Sequence, residues 1–416
     1  MSNLISSKWT PLFLSNFLSV YNDNLLKNSV IFIAVAWALP DWLNQSQLIS
    51  IVSASLIVPY LFLSPIGGRL AVKYSKKKIF VLFKLLEIPV MIVACVAFYY
   101  HLVMLAVLAV LAMGVLSCLY SPSKYSLIRD IGGEEGVSFG SGVFETMAFL
   151  GVLIGTVTAS VVSDLEYKWL VFVLFVGLAV LGLLMTKAIR VVEQPEDSDS
   201  QGHLNPVRFL IESYNYARNH KHVNSAVLGA SSFWLIGGML QMNLVIHSKQ
   251  VYQLSNTITG LVMAVAAVGI ALGTWAAGKI SGKKVRKWLI TIGISGMAVF
   301  FLILTFLKLN FYLYAVSVFF VAFMGGVFQV PNLSIIQQAD LGRKLGDMIA
   351  YLNLVTFIFV LAGTFLFWLI TYLSNENSQV VFAFISLICL LVFLYFQRKS
   401  PEFYKDIIIF FDRKNR

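Results

Sequence analysis

Charge is what this chain has least of. Only 12% of its 416 residues are Asp, Glu, Lys or Arg, while 58% are apolar. Soluble domains carry about a quarter charged residues and about half apolar ones, so an ordinary water-soluble globule is excluded. Cysteine is scarce too. Cys95, Cys118 and Cys389 each lie in an apolar run, with no partner nearby in sequence and no metal-ligand spacing. They read as small buried hydrophobes, not as a disulfide framework or a metal site. Acidic residues are outnumbered 20 to 31, which leaves a net charge of +11. That excess lies in loops, where membrane topology and anionic lipid account for it, so no nucleic-acid partner is expected. None of the five histidines (His101, His203, His220, His222, His247) has an Asp five positions on, the spacing of a His-x-x-x-x-Asp acyltransferase. Zinc motifs and nucleotide loops are missing as well. The expectation is a protein that is not an enzyme and needs no cofactor or metal.

What is present is a series of long apolar runs. Mean hydropathy is +0.81, and twelve stretches are each long enough to cross a bilayer. They cover 11–39, 47–67, 79–100, 102–122, 138–163 and 168–188, then 223–247, 256–279, 287–307, 310–335, 345–373 and 378–397. These are helix-length runs, whereas a membrane barrel shows short alternating segments. Of the 31 Lys and Arg residues, Lys168, Lys249 and Lys308 fall in one set of loops and Lys27 and Lys84 inside spans; the other 26 fall in the alternate loops and the ends. Basic loops resist translocation. The expected topology is therefore multi-pass, with both termini in the cytoplasm. The short polar N-terminus shows no pattern of a cleavable signal peptide.

The domain reading is a six-helix bundle over 1–188, a linker over 189–222, a second six-helix bundle over 223–397 and a cytoplasmic tail over 398–416. In the linker, the acidic run from Glu193 to Ser200 lacks aromatics and reads as disordered. Asn205-Pro206 then offers a helix start. Val207, Leu210, Ile211, Tyr214 and Ala217 follow at helical spacing, which predicts an amphipathic helix on the cytoplasmic surface. The two sets of six spans look like repeats. Gly68, Met113-Gly114 and Pro122 are answered by Gly278, Met324-Gly325 and Pro331, at offsets of 210, 211 and 209 residues. A parallel six-plus-six repeat is the plan of the major facilitator superfamily. The loop after the second span, Gly68-Arg-Leu-Ala-Val-Lys73-Tyr-Ser-Lys76-Lys77, resembles that superfamily's Gly-x-Leu-Ala-Asp-Arg-x-Gly-Arg-Arg signature. Val72 stands where the signature has Asp, so the gating contact of that Asp is in question here. The resemblance gives Gly68, Lys73, Lys76 and Lys77 a gating role.

Each charge inside a span asks for a reason, because it costs roughly 2.5–3.5 kcal/mol on insertion scales. Asp23 and Lys27 are four apart in the first span, at pairing distance. Lys84 and Glu87, three apart, read as a self-neutralised pair that fixes helix packing. Glu145 is open between a bridge to Lys27 or Lys84 and a protonated state. Asp23, between Asn22 and Asn24, is too polar a site for packing alone. Lys124 follows Tyr120-Ser-Pro-Ser, where Pro122 is expected to break the helix and free backbone groups beside the charge. The amides of the second half read as interhelical hydrogen bonds, with Gln241 as the exception.

The stretch from Phe17 to Asn28, Phe-Leu-Ser-Val-Tyr-Asn-Asp-Asn-Leu-Leu-Lys-Asn, resembles the Phe-Asn-Asp-Asn-x-x-Lys-Asn stretch of bacterial lysophospholipid transporters, including the form fused to a lysophosphatidylethanolamine acyltransferase. Tyr120-Ser-Pro-Ser-Lys124-Tyr, Lys84-Leu-Leu-Glu87, Gly142-Val-Phe-Glu145 and Ser232-Phe-Trp234 are similar to that family's motifs too. The resemblance implies lysophospholipid transport across the inner membrane, with Asp23 facing an ammonium, Lys124 a phosphate and Asn24 the glycerol hydroxyls. It adds Lys27, Glu145 and Gln241 to the binding set, and an acyltransferase as a partner. Gln241 stands where that family has an Arg, so a second phosphate-binding cation is missing unless Lys27 supplies it. The alternative is a proton-coupled carrier of a polar organic molecule such as a siderophore, drug or metabolite, with Glu145 or Asp23 as the proton site.

Overall fold

The computed structural model describes residues 8–33, 37, 39–40, 45–163, 168–193 and 204–403. All regular structure among them is helical. It runs α1 (Thr10–Ile33), α2 (Gln45–Lys73), α3 (Lys76–Tyr99), α4 (Val103–Ser163), α5 (Lys168–Ala188), α6 (Pro206–Arg218), α7 (Val223–Gln250), α8 (Asn256–Ser281), α9 (Trp288–Phe306), α10 (Phe311–Gln338), α11 (Leu345–Leu373) and α12 (Ser378–Lys399). A 3₁₀ turn, Gly342–Lys344, leads into α11.

Ten of the described helices are long and apolar enough to cross a membrane. Of the long helices only α1 falls outside that set, and its run of Asn22, Asp23, Asn24, Lys27 and Asn28 accounts for it. Helix α4 counts twice. At about 1.5 Å per residue its 61 residues reach roughly 90 Å, about three bilayer cores. It is two helices joined at Gly133, whose φ of 59° and ψ of −169° turn the chain. The fold is therefore an all-α membrane protein of twelve spans in two six-helix pseudo-repeats, the major facilitator fold.

Proline 122 does not break α4 as its sequence context predicts; it lies inside the helix, and the only non-helical residue is Gly133. A proline still leaves the carbonyl four residues back without its usual donor. That carbonyl belongs to Cys118, and Gly67 of α2 packs against it so closely that an added Cβ would stand 2.8 Å away. Lys124 sits two residues beyond Pro122 in continuous helix.

The chain divides into two compact units. The first comprises Met1–Gly133, Leu150–Asn215 and Asp340–Leu354. Its core includes Leu25, Met91, Phe98, Met113, Phe175 and Ala179. The second comprises Glu134–Phe149, Tyr216–Ala339 and Val355–Arg416, with Ala277, Trp288, Leu289 and Val330 packed together. The repeat glycines do equivalent work in the two units. A Cβ on Gly68 would come within 2.7 Å of Ala350 on α11, and one on Gly278 within 3.0 Å of Gly142 on α4. Large side chains stay exposed along the helices, and Tyr99, Tyr100, Trp169, Tyr312, Trp368 and Tyr372 cluster at helix ends, as in a membrane-interface belt.

The linker differs from its sequence reading at one point. Glu193 is held by several hydrogen bonds (below) instead of beginning a disordered run. Residues 194–200 lie outside the described residues. Helix α6 forms where Asn205-Pro206 predicts it, with Asn205 Oδ1 accepting from the backbone N–H of Val207 at 3.0 Å and Arg208 at 3.2 Å.

Candidate functional site

The first unit holds a polar cluster among apolar helices. Glu87 on α3 is fully buried and pairs with Lys84 one turn earlier. Its second oxygen accepts from Asn22 Nδ2 of α1 at 3.0 Å. Asn22 also donates to the Phe175 carbonyl of α5 at 3.4 Å. Room for Lys84 comes from Gly182, where an added Cβ would meet its Cε at 3.0 Å. The pair thus fixes α3 against α1 and α5, the packing role its spacing predicts.

One residue on, Asp23 turns toward α4. Its Oδ2 accepts from Ser117 Oγ at 3.0 Å. Because that serine proton is committed, the Tyr120 hydroxyl is the donor in the 3.4 Å contact with Ser117 Oγ. Asp23 Oδ1 is buried without a hydrogen-bond partner among the described residues. Glu87, Lys84 and Lys124 all lie close enough to act on its charge. Lys124 is buried, its Nζ over the rings of Tyr120 at 5.4 Å and Tyr125 at 5.6 Å. The Lys84 ammonium lies over the same Tyr120 ring at 5.9 Å, so both cations are within cation–π distance of one aromatic ring.

The expected Asp23–Lys27 pair does not form. Lys27 Nζ instead bonds Asn24 Oδ1 at 3.3 Å, and Asn24 Nδ2 bonds the Val20 carbonyl at 2.9 Å. Spacing allows the pair, but the serine on α4 draws the carboxylate the other way. Asp23, Asn24, Lys27 and Lys124 therefore share the first unit. Glu145 and Gln241 belong to the second; Glu145 is buried and Gln241 exposed. In that unit Trp234 stacks on Phe149 with ring centroids 6.0 Å apart. Sequence reasoning missed Ser117 altogether, since a lone serine in an apolar run carries no signal. Asn353 is an interhelical bond as expected, donating from α11 to Ser121 Oγ of α4 at 3.1 Å.

The loop motif forms a second cluster in the same unit. Glu193 accepts from Ser75 Oγ at 2.7 Å and from the backbone N–H groups of Lys76 at 2.6 Å and Lys77 at 3.0 Å. Arg343 lies 3.5 Å from Glu193 and donates to the Tyr74 carbonyl at 2.7 Å. The buried Lys76 ammonium pairs with Asp130 at 2.6 Å. Val72 is fully buried; the carboxylates of this region include Glu193, Asp130 and Asp347, whose Oδ1 would stand 2.9 Å from a Cβ added to Gly68.

The Major Facilitator Superfamily family model matches residues 12–364, and the chain belongs to that superfamily. Among curated relatives, the lysophospholipid transporter LplT of Serratia proteamaculans is 24% identical over 362 residues, covering 85% of this chain and 86% of its own. LplT of Cronobacter sakazakii is also 24% identical, over 364 residues, with 85% and 86% covered. Among solved structures, the human organic anion transporter MFSD10 is similar with a TM-score of 0.75 at 14% identity, covering 93% of this chain and 98% of that one. The transporter FucP in its outward conformation gives 0.73 at 15% identity, with 95% and 99% covered. These structural likenesses establish the fold. The chain is a multi-pass membrane transporter.

Proposed function

We propose that this transporter moves a lysophospholipid with a zwitterionic headgroup, of the lysophosphatidylethanolamine kind, across a bacterial inner membrane by alternating access. One observation carries the reading: a carboxylate with a buried oxygen unpartnered among the described residues, Asp23, and a buried ammonium, Lys124, sit within one electrostatic cluster on neighbouring spans. A zwitterion needs one site of each sign. Asp23 would take the ammonium and Lys124 the phosphate by charge-assisted hydrogen bonds. Asn24 would contact the glycerol hydroxyls, Lys27 would supply a second cation for the phosphate, and Glu145 and Gln241 complete the binding set. The relatives named as lysophospholipid transporters support this substrate class.

In this reading both termini and the basic loops are cytoplasmic, and the bundles are 1–188 and 223–397, joined by the linker 189–222. Gly68, Lys73, Lys76 and Lys77 belong to a cytoplasmic gate. A separate acyltransferase would consume the imported lipid. Uptake of labelled lysophosphatidylethanolamine into spheroplasts tests the proposal. Uptake that depends on the chain and survives an uncoupler supports it.

A second reading keeps one observation in its favour. Gln241 is exposed on α7 where the lysophospholipid family's motif has an Arg. A proton-coupled carrier of a polar organic molecule would need no second phosphate-binding cation. Loss of transport of a soluble substrate on uncoupling, with no lysolipid uptake, would favour it.

A further inference from the structure

Helix α6 has three faces, one more than an amphipathic helix needs. Phe209, Ser213 and Ala217, four residues apart, are buried, none above 5% exposed. Val207, Ile211 and Tyr214 recur at spacings of four and three residues and are 64%, 55% and 47% exposed; Leu204, just before the cap, is 51% exposed. Residues so spaced form one stripe along a helix. Glu212 and Asn219 are exposed on the remaining side, and Asn215, also exposed, borders the stripe four residues after Ile211. The helix therefore keeps a packed face, a largely exposed apolar stripe and a polar face.

Its position limits what the stripe can meet. Only Asn219–His222 separate α6 from α7, a membrane span, so the end of α6 lies within about 18 Å of that span's end. Even this short connection is turned back on itself, with Asn219, His220 and Val223 donating to the carbonyls of Tyr216, Ala217 and His220. The interfacial layer on each side of a bilayer is itself several ångströms deep. Charge completes the picture. Arg218 continues the stripe four residues beyond Tyr214, and Arg208, four residues before Glu212, lies on the polar face. Both are exposed, and neither makes an ion pair among the described residues. Glu212 is on the polar side.

We infer that α6 is an interfacial helix docked on an anionic lipid surface: Val207, Ile211 and Tyr214 enter the headgroup–acyl boundary while Arg208 and Arg218 bind lipid phosphate. Apolar stripes accompanied by arginine bind such surfaces through burial and electrostatic attraction together. The inference needs only the membrane fold and stands whatever the transported molecule is.

Nitroxide scanning of the full chain in lipid nanodiscs tests it. Cys118 and Cys389 are fully buried, so a Cys95→Ala background suffices for labelling. Single cysteines at Val207, Ile211, Glu212 and Asn219 are labelled, and collision with oxygen is compared with collision with a water-soluble nickel chelate. The oxygen-to-nickel ratio should be severalfold higher at 207 and 211 than at 212 and 219. Adding phosphatidylglycerol to phosphatidylcholine discs should widen that contrast, and Arg208→Gln with Arg218→Gln should remove the widening. Equal nickel access at all four positions would mean that the stripe faces water. Shielding of 207 and 211 from both reagents would mean that protein covers it. Either result overturns the proposal, and a contrast indifferent to phosphatidylglycerol overturns its anionic part.

Discussion

Ser117 donates to Asp23 at 3.0 Å and thereby ties α4 to α1 where α1 is most polar. The bond satisfies one carboxylate oxygen and leaves the other buried and unpartnered among the described residues. Removing the serine hydroxyl would strand both. An unsatisfied buried acceptor costs about 1–3 kcal/mol, more when charged. Ser117→Ala should therefore lower the thermal midpoint in detergent, while Ser117→Thr, which keeps the hydroxyl, should stay near the parent. Scanning fluorimetry of the two side by side decides it; identical melting would mean that the bond holds nothing.

The Lys84–Glu87 pair gives a sharper contrast. Breaking a buried pair leaves a naked charge and commonly costs about 3–5 kcal/mol, whereas removing both charges is often neutral. Glu87→Ala should unfold at distinctly lower temperature and also free Asn22. Lys84→Met with Glu87→Gln should keep most stability and transport, because Gln still accepts from Asn22. Equal, complete loss of transport in single and double variants, with both folded, would make the pair part of the transport path.

Glu193 should matter far more than a loop carboxylate normally does. It takes a hydroxyl and two backbone N–H groups at the start of α3 and stands beside Arg343. Glu193→Ala should cost roughly 1–3 kcal/mol, and its effect should not add to that of Arg343→Met, since groups in one network couple. Strict additivity of the two midpoint shifts would show that the contacts are independent.

Topology is tested by labelling. Cysteines replacing Ser46 and Asn375 should react with an impermeant maleimide added outside cells, and one replacing Ser200 should react only after permeabilisation. The expectation comes from the loop charges alone, so external labelling at Ser200 would reverse the orientation.

The spans were legible because bilayer thickness imposes run length and the interior excludes charge, so α5, α8 and α11 match their apolar runs within two residues. Lys84 and Glu87 were legible because i,i+3 neighbours meet on any helix. The same rule misled for Asp23 and Lys27, since Ser117, 94 positions away in sequence, decides where that carboxylate points. Pro122 stays inside α4, and Gly67 of α2, a segment distant in sequence, packs against the Cys118 carbonyl that the proline leaves without its usual donor. Glu193 looked disordered from composition; its partners at Ser75 and Arg343 come from distant segments. What the sequence hides is the tertiary partner of a polar group.

The headgroup path makes the most exposed prediction. Asp23→Asn keeps shape and can still accept from Ser117, but removes the charge that an ethanolamine ammonium would meet. Lys124→Gln keeps a polar group over Tyr120 and removes the charge that a phosphate would meet. Each loses a charge-assisted hydrogen bond to substrate, worth about 1.5–3 kcal/mol, so uptake efficiency should fall by roughly ten- to a hundredfold. The losses should sort by headgroup. Asp23→Asn should hurt lysophosphatidylethanolamine more than lysophosphatidylglycerol, which carries no ammonium, while Lys124→Gln should hurt both. Gln241→Arg should retain or raise lysolipid affinity if the second repeat faces the phosphate. Uptake of both labelled lipids, alongside melting curves that certify folding, reads all three variants. Folded Asp23→Asn and Lys124→Gln proteins with undiminished lysolipid uptake would detach this cluster from the substrate, and the buried carboxylate would then be a candidate for proton coupling instead.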